Sequence, residues 1–151
     1  MVNLKPITKE NIDDVLALKV REDQKAFVST TAESLAQAYV YGETAFPFAV
    51  YDDEVPVGFI MMGYYEAKKY YTLWKLLIDE HFQGRGYGRQ ALLLGLAFVK
   101  ETFGPVDVYT GVAPGNAVAK GLYESAGFVD TGFREFGMEE MRLRGGKEER
   151  E

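Results

Sequence analysis

Apolar positions along the chain fall into two patterns, short runs rich in β-branched and aromatic residues and stripes at helical spacing. Val2 to Ile7 reads as a strand, and Thr8 is placed to cap a helix carrying Ile12, Val15, Leu16 and Leu18. Thr30-Thr31-Ala32-Glu33 then offers a capping box ahead of a second helix over Thr31 to Tyr41. Aromatic and β-branched residues follow in three runs, Phe46 to Tyr51, Val55 to Tyr65 and Tyr70 to Ile78, which predict an antiparallel meander. Behind the glycines at 84, 86 and 88, Leu92, Leu96, Val99 and Phe103 form one helical stripe that stops at Gly104-Pro105. A strand over Val106 to Val112, a turn at Pro114-Gly115-Asn116 and a helix over Ala117 to Ala126 come next, and strands Phe128 to Phe133 and Met138 to Leu143 close the pattern.

The order is βααβββαβαββ, without repeats or low-complexity linkers. It predicts an α/β fold over residues 1–144, with a central mixed, mostly antiparallel sheet and helices on both faces. Residues 145–151, glycine plus charge, read as a flexible tail.

Composition narrows the chemistry. There is no cysteine and a single histidine, His81, which excludes thiolate nucleophiles, CxxC redox pairs and zinc clusters, so no metal site is expected. With 17 Lys+Arg against 23 Asp+Glu the net charge is -6, opposite to the footprint of a nucleic-acid binder and suited to a small cationic partner. The first residues lack the basic start and apolar core of a signal peptide, and the run Ala91 to Val99 is far short of the roughly 20 residues of a membrane span, so a cytoplasmic protein without membrane contact is expected.

The densest chemistry lies at Leu76-Leu77-Ile78-Asp79-Glu80-His81-Phe82-Gln83-Gly84-Arg85-Gly86-Tyr87-Gly88, where a strand runs into a glycine-rich loop that opens a helix. Glycines let successive N–H groups converge, and a helix N-terminus adds partial positive charge, so this loop is suited to cradle a pyrophosphate, with Arg85 as a charged contact. A dinucleotide fingerprint counted from Gly84 would need glycine where Arg89 stands, and an NTPase loop would end Gly-Lys-Ser/Thr rather than Gly88-Arg89-Gln90.

About thirty residues on stands Asn116-Ala117-Val118-Ala119-Lys120-Gly121-Leu122-Tyr123-Glu124-Ser125-Ala126-Gly127-Phe128. The pair Q-x-x-G-x-G and N-x-x-A-x-x-L-Y-x-x-x-G-F, in this order, resembles the acetyl-CoA-binding core of the GNAT superfamily of N-acetyltransferases. The resemblance implies that Gln83 to Gly88 hold the pyrophosphate of coenzyme A, that backbone groups of Leu76, Leu77 and Ile78 pair with its pantetheine arm, and that Asn116 contacts that arm. It further implies that the N–H near Ile78 polarises the thioester carbonyl and that Tyr123 stands by the sulfur as general acid. Taken alone, Asn116 reads as a helix cap and Tyr123 as a core aromatic.

The segments Leu18 to Tyr39 and Leu73 to Asp79 resemble those of bacterial spermine/spermidine acetyltransferases, with departures at Lys75 and Thr30-Thr31. This implies a polyamine acceptor. A polycation wants carboxylates beside apolar walls, and Glu22 and Asp23 at the end of helix one, with Asp79 and Glu80 after the thioester strand, are the substrate-binding candidates. The alternatives are another acceptor, such as a protein N-terminus, an amino acid or an aminoglycoside, and a non-catalytic acyl-CoA-binding module. The apolar strands near the C-terminus, especially Met138 to Leu143, suggest pairing across a homodimer.

Overall fold

A computed structural model describes residues 1–146 and places them in one seven-stranded sheet of order β1-β2-β3-β4-β5-β7-β6. The strands are β1 (Val2–Lys5), β2 (Ala45–Asp52), β3 (Val55–Tyr65), β4 (Tyr70–Ile78), β5 (Val108–Val112), β6 (Val129–Glu135) and β7 (Met138–Leu143). The helices are α1 (Ile12–Leu16), α2 (Thr31–Val40), α3 (Tyr87–Phe103) and α4 (Ala117–Ser125), with a 3-10 turn at Glu22–Gln24. All strand pairs are antiparallel except β4 with β5.

The middle strand explains the two-sided architecture. β3 is buried continuously from Val57 to Gly63, as expected of a strand covered on both faces. Val57, Ile60 and Met62 join a core under α3 and α4 with Leu92, Val99 and Phe128, while Phe59 and Met61 join a second core under α1 and α2 with Val15, Ala49 and Leu77. Gly95 lets α3 approach this sheet, since a Cβ there would lie 2.8 Å from Ile60 Cδ1.

Two bulges shape the middle of the sheet. Val50 pairs with Gly58 and Tyr51 with Pro56, so Val57 is the extra residue on β3; Met61 pairs with Lys75 and Met62 with Leu73, so Trp74 is the extra residue on β4. A bulge bends its strand and increases local twist. β4 bends at Trp74, two residues past Thr72, the last that pairs with β5.

The helix starts follow local hydrogen bonding. The capping box read at Thr30 and Glu33 is present, with Glu33 N–H donating to Thr30 Oγ1 at 3.0 Å and Thr30 N–H to Glu33 Oε1 at 2.9 Å. The first helix differs from expectation. Asn11 Oδ1 accepts the Thr8 N–H at 2.8 Å, and this side-chain turn delays the helix to Ile12. β5 begins at Val108 rather than Val106, because Asp107 turns its carboxylate to the N–H of Gly145 at 2.7 Å. Gly145 is buried there, and residues 147–151 of the expected tail lie outside the described residues.

The sheet order gives Met138 to Leu143 no free backbone edge for a second copy to extend. β7 is hydrogen-bonded to β5 on one side and β6 on the other, which leaves β1 and β6 as the edges. Among the described residues no helix is long and apolar enough to cross a membrane.

A Cβ added to Gly58 would lie 2.5 Å from the Leu77 carbonyl oxygen, backbone that cannot swing aside. Gly58→Ala is therefore expected to destabilise the fold by about 1–3 kcal/mol, read as a lower midpoint in urea unfolding with an unchanged slope.

Candidate active site

The site begins where β4 and β5 part. Their parallel pairing covers only Tyr71 with Val108 and Thr72 with Tyr109. Beyond it the Thr110 hydroxyl still donates to the Leu73 carbonyl at 3.0 Å, and then the strands diverge into a fork. The Asp79 N–H donates to the Val57 carbonyl at 2.9 Å, which makes Gly58 and Ile78 a non-hydrogen-bonded pair. The N–H and C=O of Ile78, and by the two-residue period those of Leu76, therefore point away from β3 into the fork. That open backbone edge can pair with an extended ligand as a further strand would.

Past the edge, Gly84 and Gly86 take φ of +79° and +84°, the left-handed region that glycine enters without strain. Gly86 is the N-cap of α3, so the loop presents first-turn N–H groups and the positive end of a 17-residue helix to one spot. Gln83 locks the loop in place. Its Nε2 donates to the Ile78 carbonyl at 2.9 Å, and its side chain exchanges hydrogen bonds of 2.8 and 3.1 Å with that of Gln24 from the 3-10 turn.

On the opposite bank, α4 opens with Asn116, whose side chain accepts the Ala119 N–H at 3.3 Å as a cap. Two turns on from Asn116, Tyr123 lines the cleft, close enough to Thr110 for that hydroxyl to act on its own. Burial pushes its hydroxyl above the ordinary tyrosine pKa, and the Thr110 contact opposes this to a smaller extent, so Tyr123 stands protonated at neutral pH. Edge, loop and helix enclose a cleft of about 500 Å³.

A profile of the acetyltransferase (GNAT) family matches residues 12–128. The chain belongs to that family. Members use acetyl-coenzyme A as acetyl donor, and the open edge, left-handed glycines and helix N-terminus fit such a donor, supplying partners for an amide-bearing arm and for phosphate. The spermine/spermidine N(1)-acetyltransferase of Bacillus subtilis strain 168 is 27% identical over 95% of this chain and 97% of its own length. An uncharacterised N-acetyltransferase of the same organism is 30% identical over 85% of each chain. Among solved structures, spermidine N-acetyltransferase from Vibrio cholerae, in complex with CoA and spermine, superposes with a TM-score of 0.76 at 18% identity, covering 97% of this chain and 96% of that one.

In this GNAT chain the residues read as cofactor-binding converge on the cleft with one exception. Leu76, Leu77 and Ile78 form one wall, Gln83, Gly84, Gly86, Tyr87 and Gly88 one end, and Asn116 and Tyr123 the other wall. Arg85 does not line it; the guanidinium lies over the Phe82 ring at 5.5 Å and donates to the His81 carbonyl. Tyr87 directs its hydroxyl to Asp52 at 2.5 Å, which leaves its backbone as the part facing a ligand.

None of the four acidic candidates lines this cleft. Glu22 pairs with Lys25 at 3.0 Å and Asp23 with Arg21 at 3.4 Å, all exposed. Glu80 is exposed, with its N–H donating to the Lys19 carbonyl. Asp79 is buried and accepts the N–H groups of Lys19 at 3.1 Å and His81 at 2.9 Å, so it fastens the end of β4 to the segment after α1.

A second cavity of about 680 Å³ opens on the other side of the fork, touching Leu73 and Thr110. Tyr64, Tyr65, Tyr70, Trp74 and Phe133 form its walls, and Glu66, Glu135 and Glu140 contribute carboxylates. The doubled tyrosines at 64–65 and 70–71 were the signal in the sequence, since they frame one hairpin turn. Nothing local announces Thr110, Glu135 or Glu140, which arrive from strands distant in the chain.

Burial raises the Asp79 pKa, but hydrogen bonds from His81 and Lys19 outweigh it and leave the carboxyl below its ordinary value. A depressed folded-state pKa stabilises the fold above the unfolded value and loses that contribution as pH falls through the folded one. Asp79→Asn is thus expected to unfold about 1–3 kcal/mol more easily at neutral pH, with the gap to wild type closing below about pH 4 in urea titrations.

Proposed function

We propose that this chain transfers the acetyl group of acetyl-coenzyme A directly to a primary amine of a small polycation of the spermine/spermidine class. The fork carries this reading: it joins a cleft suited to the donor to an aromatic, acidic cavity suited to the acceptor, with Tyr123 at the junction. The resemblance of the acceptor-side sequence and the polyamine acetyltransferase relative from Bacillus subtilis support the choice of amine.

When bound, acetyl-coenzyme A supplies an activated acetyl thioester. Of the two N–H groups on the open edge, that of Leu76 lies two residues nearer to Leu73, the level marked by Thr110 and Tyr123. We therefore assign the carbonyl-polarising N–H to Leu76. Ile78, next to Gln83, is assigned to hold the pantetheine arm, which moves the donor two residues from the position expected from sequence. A single preorganised donor of this kind contributes roughly 3 kcal/mol to a transition state in which the oxygen gains charge. Tyr123, kept neutral by burial, has a proton to give to the departing thiolate. Asp79 serves structure, and the tyrosine-lined cavity rather than Glu22 and Asp23 provides the walls for the amine.

Release of free coenzyme A should be measured over spermine, spermidine, diamines, amino acids, peptides and aminoglycosides, with Tyr123→Phe in parallel. Spermine and spermidine are expected to give the highest kcat/KM, and Tyr123→Phe to lower kcat by about 10²-fold or more with little change in KM for acetyl-coenzyme A. Coenzyme A binding without turnover of any amine would make the chain a binding module instead.

A further inference from the structure

The acceptor cavity already holds an ammonium of the protein's own. Lys68 Nζ lies 2.5 Å from Glu135 Oε1 and 4.3 Å from the centre of the Phe133 ring. Glu140 and Tyr70 are close enough to act on its charge. A carboxylate with an aromatic face is the environment that an alkylammonium ligand seeks. Lys68 is partly buried, with 28% of its side chain exposed against 37% for Glu135, so the pair sits at the rim rather than free in solvent.

The two partners come from different hairpin tips. Lys68 belongs to the turn between β3 and β4, where the Tyr65 carbonyl accepts the N–H groups of both Lys68 and Lys69 at 3.2 and 2.7 Å. Glu135 ends β6 and leads into the turn to β7. Each turn contains a non-glycine residue in the left-handed region, Lys69 at φ 56° and Phe136 at φ 53°. Such residues are held by their surroundings at some cost in backbone energy. The ion pair therefore clasps two stiff tips across the cavity.

The geometry points to Lys68 as a tethered competitor: its ammonium fills the subsite, made by Glu135 and Phe133, that a second ammonium of a di- or polycationic acceptor takes, and that acceptor must displace it. Lys68 is then a specificity-determining residue, weakening the binding of every polycation and most of all those long enough to reach the rim while another nitrogen lies at the fork. Among the charged residues lining the cavity, three carboxylates face one lysine, so release of Lys68 leaves an acidic wall for the incoming charges. The inference rests on the proposed function for the identity of the cavity as the amine site.

The test is calorimetric titration of spermine onto the full chain in the presence of coenzyme A, for wild type, Lys68→Met, Lys68→Arg and Glu135→Gln, followed by KM values for spermine and for propylamine. Lys68→Met is expected to tighten spermine about tenfold, and its KM gain for spermine to exceed that for propylamine at least fivefold. Lys68→Arg, which keeps a cation on Glu135, is expected to stay within twofold of wild type, and Glu135→Gln to weaken spermine by tenfold or more. Unchanged or weaker spermine binding in Lys68→Met overturns the inference, as does equal tightening of propylamine. Binding is read without turnover, so a wild type that acetylates no amine refutes the proposed function while the titrations still decide the role of Lys68.

Discussion

Parallel strands stay together only while each satisfies the other's backbone, and here β4 and β5 do so for two residue pairs before separating. The N–H and C=O groups that β4 then turns toward the gap have no strand opposite them, and a strand interior tolerates such groups only when something else completes the ladder. The bulge at Trp74 and the bridge from Thr110 to Leu73 set where the separation begins. The cleft, the second cavity and the buried Tyr123 are all arranged around that point.

The sheet must be covered on both faces for the fork to be rigid. Phe59 and Met61 anchor one side of β3 and Ile60 and Met62 the other, so β3 cannot shift its register without exposing a core. β4 inherits that constraint through its pairing with β3, and its open edge is consequently preformed. The Gln24 and Gln83 amides extend the same rigidity to the glycine loop, tying the segment between α1 and α2 to the edge itself through the Ile78 carbonyl.

The two cavities differ in the chemistry they offer. One is built from backbone groups and a helix end, which recognise phosphate and amide without any particular side chain. The other is built from tyrosines and carboxylates, which recognise charge and methylene length. A family can thus keep its donor site while its acceptors diverge, because only the second depends on side-chain identity.

The sequence by itself determined the order of elements, the glycine loop, the capping box at Thr30 and the pair of motifs ending in Tyr123. Each rests on residues close together in the chain, where periodicity and turn chemistry act locally. The wall of the cleft beside the glycine loop was legible for the same reason, since Leu76 to Gly88 is one continuous segment. Only the tertiary structure decided the rest. Arg85 turned to Phe82, Asp79 was taken up by Lys19 and His81, and the expected pairing edge of β7 proved to be interior. The tyrosine-lined cavity joins α2, the β3–β4 turn, β5 and the β6–β7 hairpin, whose meeting depends on β7 lying between β5 and β6. A carboxylate's role follows from what lies opposite it in space, and for Glu135 that is Lys68, sixty-seven residues away.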